Sequence, residues 1–148
     1  MQQRESRDGN VRKIEWAIRN EKLIFEAVEE ERCAPRGHTG GSPTGHSYVS
    51  DPTATQAIRQ VEEVYRVDVG GRPLEWPERW LTVVNAVRQW CGRDAIRAEI
   101  FKRRYSGESY KSTCYDLHIA KPTYHFALNE IRGFALQAAA QAQVIQVF

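Results

Sequence analysis

A chain of 148 residues with 41% hydrophobic and 27% charged side chains has the balance of one folded domain, or of a small domain with a helical extension, and excludes wholesale disorder. A net charge of +2 excludes a polybasic arm, and three cysteines without a CxxC pair exclude a disulfide scaffold and a zinc ribbon. The longest apolar runs are too short to span a bilayer and Met1–Asp8 lacks the apolar core of a signal peptide, so the expectation is a cytoplasmic protein without membrane contact.

No stretch shows strand alternation over a useful length. Apolar residues recur at helical spacing instead, which predicts an all-α helical bundle. The first helix is expected from about Asn10 to Arg32, with Asn10 as its N-cap. Its inner face holds Val11, Ile14, Ile18, Phe25 and Val28, widened by Trp16, Leu23 and Ile24. Glu21 interrupts the seam, which suits a bundle helix better than a zipper. Glu29, Glu30 and Glu31 read as a solvated helix end.

A Gly-rich loop at 34–50 follows, with four glycines, two prolines and no carboxylate. No Lys-Ser/Thr follows its glycines, as a phosphate cradle requires, and Cys33, His38 and His46 lack a fourth metal ligand. Asp51-Pro52 then caps a second helix carrying Ala54, Ala57, Ile58, Val61, Val64 and Tyr65, which Gly70-Gly71 and Pro73 break. A third starts at Pro77 with Trp80, Val83, Val84, Val87 and Trp90 inward. The four tryptophans read as core rather than as a base-stacking platform. A fourth, Asp94–Tyr105, buries Ile96, Ile100, Phe101 and Tyr105. The chain thus divides into an N-terminal helical region, 1–91, and a C-terminal domain, 92–148.

The C-terminal domain has the spacing of a helix-turn-helix. Ser109 caps a short helix ending near Leu117, a turn follows at His118-Ile119-Ala120, and Lys121-Pro122-Thr123 opens a longer helix reaching about Gln143. Cys114 takes the small position at which the helices cross. Leu117 and Ile119 flank the turn, and Tyr124, Ala127, Leu128 and Ile131 face inward. The opposite face begins with Lys121, Pro122, Thr123, His125, Phe126 and Asn129, the positions from which a recognition helix reaches base edges. Lys102, Arg103, Arg104 and Lys111 are candidate phosphate contacts.

The segment from Asp94 to Tyr105, followed by Ser109-Tyr110 and this helix pair, resembles region 4 of bacterial sigma factors. The wider layout, with Lys13-Ile14-Glu15, a Gly-rich stretch and Asp51-Pro52-Thr53 before the helix pair, resembles the RinA and ArpU families of phage late transcriptional regulators. The resemblance covers roughly Val11 to Gln137 and implies a DNA-binding activator of late genes in a bacterial host. Two departures stand out: Ala120 sits where such modules place a Ser or Thr cap, and the reading face carries only Lys121 as a cation.

Charge agrees with a DNA partner. Residues 92–148 carry 8 basic and 5 acidic side chains, whereas residues 1–91 carry 13 basic and 14 acidic ones. No enzyme is expected, since no HExxH, GxSxG or Walker sequence occurs, and Cys114 beside His118 or His125 reads as an inert core thiol. No cofactor or metal is expected. The expected partners are double-stranded DNA, host RNA polymerase and a second copy of the chain. The uncharged tail after Ala138, with Val144, Ile145, Val147 and Phe148, is expected to dock on the protein's own core or on that second copy. Two other classes fit the same features: a small-terminase-like DNA-packaging subunit, and a polymerase- or sigma-binding module.

Overall fold

The computed structural model describes residues 7–34 and 62–146. Among them are six helices and one two-stranded sheet: α1 (Arg7–Arg19), α2 (Glu21–Cys33), β1 (Arg66–Val69), β2 (Arg72–Glu75), α3 (Pro77–Cys91), α4 (Ala95–Tyr105), α5 (Tyr110–Leu117) and α6 (Lys121–Gln141). The Gly-rich loop from Pro35 on, with His38 and His46, and most of the helix expected after Asp51 lie outside the described residues. Val64 and Tyr65, the last two apolar positions of that expected helix, lie in non-helical chain leading into β1.

The first helix expected from the sequence is two. Asn20 leaves helical geometry at φ −108°, ψ 16°, and its Nδ2 donates to the Trp16 carbonyl oxygen at 2.8 Å. A short amide that bonds its own backbone competes with helix continuation. The break turns α2 so that Ile24 and Val28 are buried while Leu23 and Phe25, expected inside, are about half exposed. Asn10 is no cap either: it lies buried within α1, and its Nδ2 donates to the Gln146 carbonyl oxygen at 3.2 Å.

The fold is mostly helical, as expected, and a single short hairpin is added to it among the described residues. Gly70 and Gly71 take φ of +60° and +82°, the two positive values of a tight hairpin loop, and Gly71 N–H donates to Asp68 Oδ1 at 2.8 Å. Arg66↔Glu75 through Val69↔Arg72 pair antiparallel, and Val67, Val69 and Leu74 are buried against the helices. Four-residue strands give too few alternations to stand out in sequence, and a Gly-Gly that breaks a helix also turns a hairpin.

One buried cluster of the described residues draws on elements on both sides of residue 91. Ile14, Ala17 and Ile18 of α1 and Trp80, Val83, Val84 and Val87 of α3 belong to it, as do Ile100 and Phe101 of α4 and Tyr124, Leu128, Ile131, Ala135 and Ala139 of α6. α6 packs along α1, α3, α4 and α5. Trp90 of α3 stacks on Phe134 of α6 with centroids 4.6 Å apart and planes 3° apart, and the Arg97 guanidinium lies 3.8 Å from the Trp90 centroid. Ile96, expected inside, faces out on α4. The tail turns back on the same core, where Ile145 is buried and Val144 half-buried. Docking on the protein's own core therefore accounts for these two residues; Val147 and Phe148 lie outside the described residues.

Candidate nucleic-acid interface

α5 and α6 form an abrupt helix pair whose termini follow from local chemistry. Ser109, in extended geometry, accepts from the Ser112 N–H at 3.2 Å and so caps α5. At the other end His118 takes the left-handed conformation at φ 53°, Ile119 N–H donates to the Cys114 carbonyl and His118 N–H to the Tyr115 carbonyl. These two bonds make the Schellman ending that stops a helix and redirects the chain. Two residues later Lys121-Pro122 begins α6. Thr113 is fully enclosed beneath the crossing and its hydroxyl donates to the Ser109 carbonyl at 3.1 Å, while Cys114 is only half-buried.

Lys121, Pro122, Thr123, His125, Phe126 and Asn129 are all exposed, and Tyr124 and Leu128 between them are buried. Helical spacing puts Lys121, His125 and Asn129 in one row and Pro122 and Phe126 in the next, with Glu130 closing that second row. No side chain caps α6, because Ala120 stands in the capping position with the extended geometry a cap needs. Tyr110, which sequence reasoning did not single out, organises the start of this face. The Lys121 ammonium lies 5.3 Å from its ring centroid and the His125 ring 5.7 Å from it. The only sequence signal was its place directly after the Ser109 cap.

The basic run Lys102-Arg103-Arg104 does not form one strip. Lys102 lines a cavity of about 470 Å³ with Ile18, Cys91, Phe101 and Tyr105. Arg104 Nε is buried without a hydrogen-bond partner among the described residues. Arg103 is engaged internally: Nε donates to Glu99 Oε2 at 3.2 Å, and Nη1 to Asp116 Oδ2 at 2.6 Å and Glu108 Oε2 at 3.4 Å. Of the four cations expected at phosphates, Lys102 and Lys111 are exposed and make no ion pair among the described residues.

Behind the helix pair lies a polar bridge that the sequence did not announce. Glu15 Oε1 on α1 accepts from Arg132 Nε of α6 at 3.0 Å and from the Tyr105 hydroxyl of α4 at 3.3 Å. Burial, then the Glu15 charge, pushes the Tyr105 phenol above its ordinary range. Burial also pushes the Cys91 thiol up to about 11, which keeps it protonated and unreactive at neutral pH. No cluster of three or more His, Cys, Asp or Glu side chains placed to hold a metal occurs among the described residues, and no helix there is long and apolar enough to cross a membrane.

No protein-family model, curated protein or solved structure matches the chain.

Proposed function

We propose that the chain is a sequence-specific DNA-binding protein that uses α5–α6 as a helix-turn-helix. The N-terminal half of α6 enters the major groove. The observation that carries this reading is the exposed row Lys121, His125 and Asn129 beside Pro122 and Phe126, mounted on a helix whose other side is locked into the core. Lys121 to Asn129 spans about 12 Å of helix axis, the rise of three to four base pairs. Lys121 suits guanine acceptors, Asn129 suits adenine, and Phe126 suits a thymine methyl. The uncapped start of α6 leaves backbone N–H donors aimed outward, the arrangement that accepts a phosphate. Transcriptional activation of phage late genes, with RNA polymerase as a further partner and a dimer as the binding unit, follows the resemblance to RinA- and ArpU-type regulators. Few free cations per chain agree with a dimer.

The test is selection of duplexes from a random pool by the full chain, followed by titration of the enriched duplex. Lys121→Ala and Asn129→Ala are each expected to weaken binding to it by about 1–3 kcal/mol. A pool that yields no enriched sequence, together with binding indifferent to salt, overturns the reading.

A further inference from the structure

The run Lys102-Arg103-Arg104 invites one function, a grip on phosphates, and the fold gives its middle member another. Three carboxylates surround the Arg103 guanidinium, and they come from three consecutive parts of the chain. Glu99 belongs to α4, Glu108 to the turn after it, and Asp116 to the last turn of α5. Arg103 itself is only partly exposed, and its donors point at these oxygens at 2.6–3.4 Å. An arginine fork spreads its donors in one plane and can bridge several acceptors, which an ammonium on a flexible stem does less well. α5 is eight residues long and buries a single fully enclosed side chain, Thr113. Tyr110, Cys114 and Leu117 pack half-buried against the core, and the bridge from α4 adds a polar tie at the far end of the helix.

We propose that Arg103 is a positioning residue for the reading helices: it seats α5, and through the turn at His118 the start of α6, without touching DNA. This rests on the DNA-reading role proposed above. It has a consequence opposite to that of a phosphate contact. Neutralising a phosphate releases counterions, so removing such a contact flattens the dependence of binding on salt by about one unit of slope. Removing a positioning residue leaves the slope alone and blurs the distinction between right and wrong sequences. Asp116→Asn sharpens the contrast further, since it removes one arm of the bridge while making the surface more positive. If charge alone mattered, that variant would bind all DNA more tightly and keep its preference.

The experiment measures binding of the full chain, Arg103→Met, Asp116→Asn and Lys111→Ala to the enriched duplex and to a mixed-sequence duplex, from 50 to 200 mM salt. All titrations are run well below every variant's melting temperature. Arg103→Met is expected to lose about tenfold in preference for the enriched duplex with its salt slope unchanged. Asp116→Asn is expected to lose preference less, while holding or gaining affinity for mixed DNA. Lys111→Ala is expected to lower the slope by about one. A slope that falls for Arg103→Met, or a preference that survives both variants, overturns the proposal. Amide hydrogen exchange reads the same bridge without DNA. Arg103→Met should lose protection at least fivefold within residues 110–120 while residues 77–91 keep theirs, and unchanged protection at 110–120 overturns it. Absence of any enriched duplex counts against the DNA reading alone, because the exchange measurement still decides the bridge.

Discussion

The two halves of α6 form one continuous helix, buried along one side throughout but covered on its other sides mainly in the second half. From Lys121 to Asn129 only Tyr124 and Leu128 are buried, and the remainder is exposed or half-exposed. From Ile131 to Ala139 every fourth residue is fully enclosed: Ile131, Ala135 and Ala139. Arg132 and Phe134 tie the same segment to Glu15 of α1 and Trp90 of α3. A helix held by Tyr124 and Leu128 along one side of its first half, and enclosed on more sides along its second, presents its exposed positions at a fixed orientation, because the backbone hydrogen bonds that hold the helix straight run through both halves. Both halves therefore contribute to stability through one buried side, and the positions open to the proposed recognition lie in the first.

The largest expected effect lies at Ile131, which is fully enclosed. Ile131→Ala should cost about 2–5 kcal/mol of unfolding free energy, the transfer term plus the cavity it leaves. Denaturant titration reads it as a fall in midpoint with little change in slope. A loss under about 1 kcal/mol would mean that this half of α6 is not anchored.

Arg132→Met comes next. It leaves the nearly buried Glu15 carboxylate with the Tyr105 hydroxyl as its one side-chain donor among the described residues. The expected cost is about 1–3 kcal/mol, below that of a fully buried pair because Arg132 remains partly exposed. Glu15→Gln in the same background should recover part of it, since a neutral amide is cheaper to leave half-satisfied than a charge. Failure of that recovery in a denaturant series would separate the bridge from simple packing of the arginine stem.

Ala120→Ser acts at the bare end and in the opposite direction. Asp94 and Ser109 show what a cap does in this chain: each takes extended geometry and accepts an N–H three residues on, from Arg97 and Ser112. Ala120 has the same geometry, φ −75° and ψ 154°, and no acceptor. A serine there can reach the Thr123 N–H, and should add about 1 kcal/mol, which is about 2–4 °C in Tm for a chain of this size. If the start of α6 serves an outside acceptor, the stabilised variant should bind DNA no better or somewhat worse.

Much of this architecture was legible in the sequence, and the failures have physical causes. The cap at Ser109, the start of α3 at Pro77, the start of α4 near Asp94 and the turn at His118 were readable because they depend on residues within five positions of one another. The break at Asn20 was not, since an Asn in mid-helix is usually tolerated and here its side chain adds a second bond to the Trp16 carbonyl, which also accepts the Asn20 N–H. The hairpin was too short to show a period. The bridge joining Glu15, Tyr105 and Arg132 and the three carboxylates around Arg103 depend on how helices cross, which no periodicity encodes. In the candidate interface the exposed row on α6 followed from helical spacing alone. The roles of Tyr110 and Arg103 required the fold.

Two phenylalanines on α6, eight residues apart, offer the smallest stability effect and the sharpest use of the comparison. Phe134 lies flat on Trp90, whereas Phe126 is 67% exposed with no aromatic partner among the described residues. Removing an exposed ring should change the unfolding free energy by less than about 0.5 kcal/mol. Leu23, Phe25, Tyr65, Ile96 and Tyr115 are exposed as well, so binding rather than exposure tests Phe126 as a reader. Phe126→Ala should melt like the parent yet bind the enriched duplex several-fold more weakly, with the loss concentrated at one thymine position when single base changes are compared. Unchanged melting with unchanged binding would assign Phe126 to another contact and confine reading to the row of Lys121, His125 and Asn129. A lower melting temperature would show that Phe126 adds to the anchoring that Tyr124 and Leu128 already give the first half of α6, and the contrast between its open and enclosed positions would fail at that residue.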